Sequence, residues 1–335
     1  MFLNSANILF LSSSIFGIFL ATSSSSWLAA WIGLELNLLS FVPLITSKKD
    51  QYSSESALKY FLIQALASAI LILAALMVNI SPFCSLGLIT SSLLIKTGSA
   101  PFHFWFPAVI QGLAWPQTAL LMTLQKISPM VLLSYTLTLY SPLTQFLFFI
   151  SITSSAIFGA LGGLNQTLLR KLMAYSSINH MAWMLSAMLI SELLWLQYFL
   201  FYCLISVSII SIFYSTQSYH TSNLIFKINF SSMKKSIFMF SLLSLGGLPP
   251  FTGFLPKWIV IQELANHHMF LPLTILLVST LLTLYYYLSI SVGSFLLSSS
   301  KTLSYYNLKY NIPTFLTYFN FMALLVPSFI FLFIS

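Results

Sequence analysis

The sequence predicts an all-α integral membrane protein of about 11 transmembrane helices, built as inverted five-helix repeats with two broken helices. Three observations predict it. The chain is 58% apolar and 5% charged, with a mean hydropathy of +0.93. A soluble domain carries roughly 25% charged residues, so this surface must face lipid. Apolar runs of about 20 residues, enough to span a ~30 Å hydrocarbon core, recur along the chain. Finally, two helix-breaking motifs align without a gap: Lys96-Thr-Gly98-Ser-Ala-Pro101-Phe102-His103-Phe104-Trp105-Phe106-Pro107 and Gly247-Leu-Pro-Pro250-Phe251-Thr-Gly-Phe254-Leu255-Pro256-Lys257. Gly98 and Gly247, Pro101 and Pro250, Phe102 and Phe251, and Pro107 and Pro256 are each 149 residues apart. Broken membrane helices at matching places in two halves mark an inverted-repeat transporter.

The expected spans are about 2–22, 26–46, 57–79, 83–106, 116–140, 146–164, 171–190, 194–216, 236–262, 270–297 and 313–334. The first follows a start with no basic residue and no transit-peptide character, so it reads as a retained helix. The second carries Glu35, and the third has Lys59 one turn inside its start. The fourth breaks at Gly98 and Pro101. The fifth, with Lys126, reads as unbroken. The sixth, seventh and eighth follow, with His180 inside the seventh. The ninth breaks at Gly247 and Pro250. Residues 1–140 form the first five-helix repeat and 146–297 the second, inverted one. The helix 313–334 is left as a brace. Five runs from the fourth to the ninth reverse the direction of crossing, which makes the repeat inverted rather than parallel.

Charge alternates between loops. Lys48, Lys49, Arg170, Lys171, Lys227, Lys234, Lys235, Lys301 and Lys309 fall on one expected face. Glu192, Glu263, His267 and His268 fall on the other, which has no Lys or Arg. The positive-inside rule places the basic face, and the amino terminus, in the cytoplasm or a mitochondrial matrix. The net charge of +8 is thereby explained by topology and does not call for nucleic acid.

Four basic residues remain inside the membrane: Lys59, Lys96, Lys126 and Lys257, with Glu35 the acidic one. A lysine at a helix centre costs roughly 2.5–3.5 kcal/mol on insertion scales and normally marks an ion path. Lys59 is the exception, since it can snorkel or pair with Glu55 at i−4. A Glu–Lys pair at ~6 Å with an effective dielectric of ~20 interacts by roughly 3 kcal/mol. Opening or closing such a pair switches a lysine between charged and neutral, as a proton relay requires. The competing reading is a static buried ion pair that holds helices together. The breaks have their own use: a proline removes a donor, and the freed carbonyls are available to water or a lysine ammonium. His180 is a candidate water-bridged link between the halves, with a satisfied core histidine the competing reading. His103 reads as structural. Cys84 and Cys203 lack metal-ligand spacing and read as core residues. No dinucleotide fingerprint, P-loop, iron–sulfur cysteine cluster or catalytic triad appears.

Several motifs together resemble one family. Trp31-Ile-Gly-Leu-Glu35, Lys96 through Pro107, Gln125-Lys126-Ile-Ser-Pro129, Gly162-Gly-Leu-Asn-Gln166, Arg170 through Ser177 and Leu245 through Trp258 are similar to chain 2 of mitochondrial NADH–ubiquinone oxidoreductase, especially in arthropod versions. The resemblance covers roughly residues 20–290. It implies an antiporter-like, proton-pumping subunit of respiratory complex I, shortened by three helices at the front relative to bacterial versions. By motif, Glu35 and Lys96 resemble the family's Glu–Lys pair, Lys126 its central relay lysine and Lys257 its exit-side residue. Ala182 departs from the usual glycine after His-Met, which weakens a detailed role for His180. The resemblance implies no cofactor in this chain; flavin, iron–sulfur clusters and quinone belong to other subunits. It implies partners among other membrane-arm subunits, including antiporter-like chain 4 and small chain 4L, and lipids such as cardiolipin. The mitochondrial inner membrane is the implied location, with the amino terminus in the matrix and the carboxy terminus in the intermembrane space. Two alternatives stay open: an Mrp-type cation/proton antiporter subunit, and a membrane scaffold with an inactive relay.

Overall fold

The computed structural model describes residues 5–47, 50–139, 141–222, 232–249 and 251–296. The expected helix 313–334 and the loop residues Lys48, Lys49, Lys227, Lys301 and Lys309 lie outside the described residues, as does Pro250. The chain divides into two compact units, 1–155 and 156–335, with the division inside one long helix.

The first unit starts with α1 (Ser5–Ser23) and α2 (Trp27–Ile45). Their backbones touch through glycine. A Cβ on Gly33 would lie 2.5 Å from the Ala21 nitrogen, and one on Gly17 would lie 2.9 Å from the Gly33 oxygen. Small residues permit this approach where no hydrophobic drive separates lipid from helix. The contact fixes α2, and with it Glu35 and Asn37. The Gly of Trp31-Ile-Gly-Leu-Glu35 thus has a packing role beside the acidic residue.

Helix α3 (Gln51–Met77) begins six residues before the expected apolar run. Its first turns are rich in polar residues, so hydropathy alone misses them. Lys59 therefore lies two turns inside, where its ammonium meets the Glu55 carboxylate at 2.5 Å. Helices α4 (Pro82–Thr97) and α5 (Trp105–Gly112) are the two pieces of the first broken span.

The fifth span corrects the expectation of an unbroken helix. It is α6 (Trp115–Met122) and α7 (Leu124–Thr138), interrupted at Thr123. There the Lys126 N–H donates to the Thr123 carbonyl at 3.2 Å, one residue short of the α-helical spacing. Pro129 lies inside α7. It has no N–H for the Gln125 carbonyl and its ring crowds that group, so the preceding turn distorts. Lys126 sits in that turn.

Helix α8 (Pro142–Gly163) carries the division between units. In the second unit, α9 (Leu169–Met188) differs from its neighbours. Seven helices among the described residues are long and apolar enough to cross a bilayer, and α9 is not among them. Ser176 through Met188 is nevertheless buried without interruption. Protein, not lipid, surrounds it, so polar side chains are tolerated on every face. Helix α10 (Glu192–Thr216) follows, then α11 (Ser232–Gly246) and α12 (Phe254–Asn266), the second broken span, and α13 (Phe270–Leu296).

The connections before α9 and after α10 meet at one end of this unit. Leu168 and His220 form an antiparallel bridge, and the Arg170 guanidinium lies 4.5 Å from the Tyr219 ring centre. One cysteine expectation needs correction. Cys84 is exposed, and Cys203 is half-buried. An exposed thiol in an apolar helix meets lipid at little cost, since free cysteine behaves as a small hydrophobe.

Candidate functional site: two broken helices and their buried lysines

Both breaks close by the same backbone device. In the first, Gly98 adopts φ +72°, its N–H donates to the Ile95 carbonyl at 3.1 Å, and the Ser99 N–H reaches the Leu94 carbonyl at 3.3 Å. In the second, Gly247 adopts φ +83°, its N–H donates to Ser244 at 3.1 Å, and the Leu248 N–H reaches Leu243 at 3.4 Å. Every atom in the second set is 149 residues after its counterpart. This is the Schellman closure, which ends a helix through a left-handed residue that glycine adopts without strain. The restarts also match: Phe106 N–H to His103 carbonyl, and Leu255 N–H to Thr252 carbonyl.

A helix end this deep leaves carbonyls that water does not reach freely, and they need partners. At the first break the Trp105 indole N–H donates to the Ile95 carbonyl at 3.0 Å, and Gln64 Nε2 reaches the Lys96 carbonyl at 3.4 Å. At the second, the Lys257 ammonium donates to the Gly246 carbonyl at 2.7 Å. The freed carbonyls are therefore claimed by an indole, an amide and a lysine.

Lys96 and Lys126 are 8% and 3% exposed, and both line one cavity of about 20 Å³. The Glu35 carboxylate acts on Lys96 electrostatically. Its Oε2 is buried and, among the described residues, has no hydrogen-bond partner. The Lys126 ammonium lies 4.9 Å from the centre of the Phe106 ring. The same ring packs beneath Gly98, where an added Cβ would come within 3.2 Å of it. One aromatic thus connects the first break to Lys126.

The cavity wall includes a hydrogen-bonded chain from three helices. The Tyr60 hydroxyl donates to Gln125 Oε1 at 3.3 Å, and Gln125 Nε2 donates to Asn37 Oδ1 at 2.9 Å. Reading the sequence for charges passed over Tyr60, Asn37 and Gln125. The available signal was Gln125 lying next to Lys126.

In the second unit, Lys257 is 5% exposed and its ammonium lies 6.0 Å from the centre of the Trp183 ring. Trp183 stacks on Tyr198, with centroids 6.4 Å apart and planes 6° from parallel. The Tyr198 hydroxyl is 2.9 Å from Nδ1 of His180, which is 7% exposed. Tyr202 adds a second ring, 5.2 Å from the imidazole. Lys257 and His180 are thus joined through a stacked indole and phenol. Tyr198 and Tyr202 were also passed over, although their i, i+4 spacing sets them on one helix face. His103 is buried and stacks on Phe104 at 4.4 Å, a packing position beside the break.

The model for NADH:quinone oxidoreductase/Mrp antiporter membrane proteins matches residues 24–82 and 78–283. NADH-ubiquinone oxidoreductase chain 2 of Anopheles gambiae is 49% identical over 305 residues, covering 88% of each chain. A chain of respiratory complex I from Thermus thermophilus, solved with bound aureothin, superposes with a TM-score of 0.78 at 26% identity, over 95% of this chain and 76% of that one. A chain of the Mrp complex from Dietzia has a TM-score of 0.75 at 16% identity, over 85% of this chain and 59% of its own, a likeness of fold alone.

Proposed function

The chain belongs to the NADH-ubiquinone oxidoreductase chain 2 family, and from that premise we propose that it translocates protons in the membrane arm of respiratory complex I. Electron transfer from NADH to ubiquinone takes place in other subunits, which hold the flavin, iron–sulfur clusters and quinone. Its neighbours are other membrane-arm subunits, antiporter-like chain 4 and small chain 4L among them, with cardiolipin at the lipid boundary. It sits in the mitochondrial inner membrane, amino terminus in the matrix and carboxy terminus in the intermembrane space.

The relay runs through Glu35, Lys96, Lys126, His180 and Lys257. Glu35 sets whether Lys96 holds its proton. Lys126 is the central station, His180 is a water-bridged link, and Lys257 is nearest the exit. Moving one charge against the field costs roughly 2.3 kcal/mol per 100 mV. Several stations divide that climb, whereas one deep lysine would trap the proton. The observation that carries the reading is the cavity shared by Lys96 and Lys126, with Glu35 acting on Lys96. The matched closures at the two breaks support an inverted repeat of two five-helix halves, 1–140 and 146–297. The bridge from Leu168 to His220 supports a shared basic face for the connections around Arg170 and after α10. An Mrp-type antiporter subunit shares the fold at much lower identity.

The test is Lys126→Met in assembled complex I in sealed vesicles. Protons moved per electron fall, while electron transfer from NADH continues. An unchanged ratio would remove Lys126 from the relay and favour a scaffold. Glu35→Gln lowers proton transport more than it lowers the amount of assembled complex. Normal transport per complex with failed assembly would reduce Glu35 to a structural role.

A further inference from the structure

The cavity between Lys96 and Lys126 has walls that the relay lysines do not account for. Gln125 lines it, its Oε1 accepting a hydrogen bond from the Tyr60 hydroxyl and its Nε2 donating one to Asn37 Oδ1. Tyr60 and Asn37 are each 4% exposed. Ser128 also lines the cavity, and among the described residues its buried hydroxyl has no hydrogen-bond partner. An orphaned buried hydroxyl in a native fold calls for a partner. The free space of about 20 Å³ exceeds the ~10–15 Å³ that one water needs, and a buried water also needs two to four polar neighbours. Lys96, Lys126, Tyr60, Gln125 and Ser128 supply them.

We infer that Gln125 is a positioning residue, holding one ordered water between Lys96 and Lys126 in a fixed orientation. The inference rests on the relay proposed above. An amide is suited to the task. It donates and accepts at once, so it fixes both Tyr60 and Asn37. It carries no charge beside Lys126, and it does not take up a proton in the physiological range, so it orients the water without trapping what the water passes on. Tyr60 donates its hydrogen bond to Gln125, which leaves the phenol oxygen able to accept one from a water. Ser128 gains the partner it lacks. The spacing along the chain adds to the case. Gln125 precedes Lys126 directly, in the turn distorted ahead of Pro129, so both side chains reach the same cavity from adjacent positions.

The experiment compares Gln125→Leu, Gln125→Glu and Lys126→Met in intact complex I reconstituted in vesicles, reading protons moved per electron and the quantity of assembled complex. Gln125→Leu keeps the bulk and removes both hydrogen bonds, and it lowers the ratio to that of Lys126→Met. Gln125→Glu keeps the shape but sets a carboxylate beside Lys126, and it also lowers the ratio. A purely structural role would reduce assembled complex and leave the ratio per complex unchanged. An unchanged ratio in Gln125→Leu, with a reduced one in Lys126→Met, overturns this inference and leaves the relay standing. Unchanged ratios in both overturn the relay itself. If Gln125→Leu does not assemble, Gln125→Asn decides on the same ratio, because its amide is one methylene too short to span Tyr60 and Asn37.

Discussion

The two broken helices are alike in backbone and unlike in chemistry. Each ends in a left-handed glycine with the same pair of closing hydrogen bonds, and each restarts at a matching position. Their lysines do not match. The position equivalent to Lys96 in the second break is Leu245, and the one equivalent to Lys257 in the first is Ala108. Lys257 is docked on its own break through the Gly246 carbonyl. Lys96 makes no side-chain hydrogen bond among the described residues, and is held instead by the field of Glu35 and a small polar cavity. The comparison teaches that one scaffold device was kept twice while the charge it serves was placed differently. A docked lysine must break a bond to move; an undocked one need not.

Replacing the closing glycines should show the largest effect. Alanine at φ +83° or +72° is strained by about 1–3 kcal/mol. At Gly247 the new Cβ would also lie 2.8 Å from Lys257 Cδ, while at Gly98 the nearest atom is a Phe106 carbon at 3.2 Å. Gly247→Ala therefore lowers assembled complex further than Gly98→Ala, measured by native gel and thermal stability. Equal losses would mean that Lys257 is not packed on its glycine.

The next effect separates the lysines themselves. Lys257→Met strands the Gly246 carbonyl, a loss of about 1–3 kcal/mol for an unsatisfied buried group. Lys96→Met strands no hydrogen bond but removes the cation that Glu35 acts on; it lowers proton transport, and its loss of thermal stability stays below that of Lys257→Met. Thermal unfolding of the two complexes checks this, and greater destabilisation by Lys96→Met would contradict the contrast.

The smallest effect lies outside both breaks. Lys59 and Glu55 are 48% and 60% exposed. Lys59→Met changes stability by no more than about 0.5 kcal/mol, as for other exposed i, i+4 pairs, and leaves the proton ratio unaltered. A changed ratio would bring Lys59 into the relay.

The breaks were legible because their cause is local. A left-handed turn needs glycine and a missing donor needs proline, so Gly98, Pro101 and Gly247 declare themselves within a few residues. The interruption at Thr123 was less legible. Pro129 stands in an apolar stretch that hydropathy reads as continuous, and its effect falls a turn earlier. The candidate site divides the same way. Buried lysines stand out in an apolar sequence by their cost. Tyr60, Asn37 and Gln125 are ordinary residues whose meeting spans 65 and 88 positions in the chain.

Composition and local sequence by themselves determined the membrane class, the two helix breaks, and the few charges that lipid would penalise. Each follows from energies set within one helix turn or one span. The tertiary structure alone decided that Lys96 shares a cavity with Lys126, that Lys257 docks on Gly246, that His180 meets Tyr198, and that α9 is sheathed in protein. Those outcomes depend on how helices rotate and cross, and the crossings are set by close contacts such as Gly17 with Gly33, which no single span encodes.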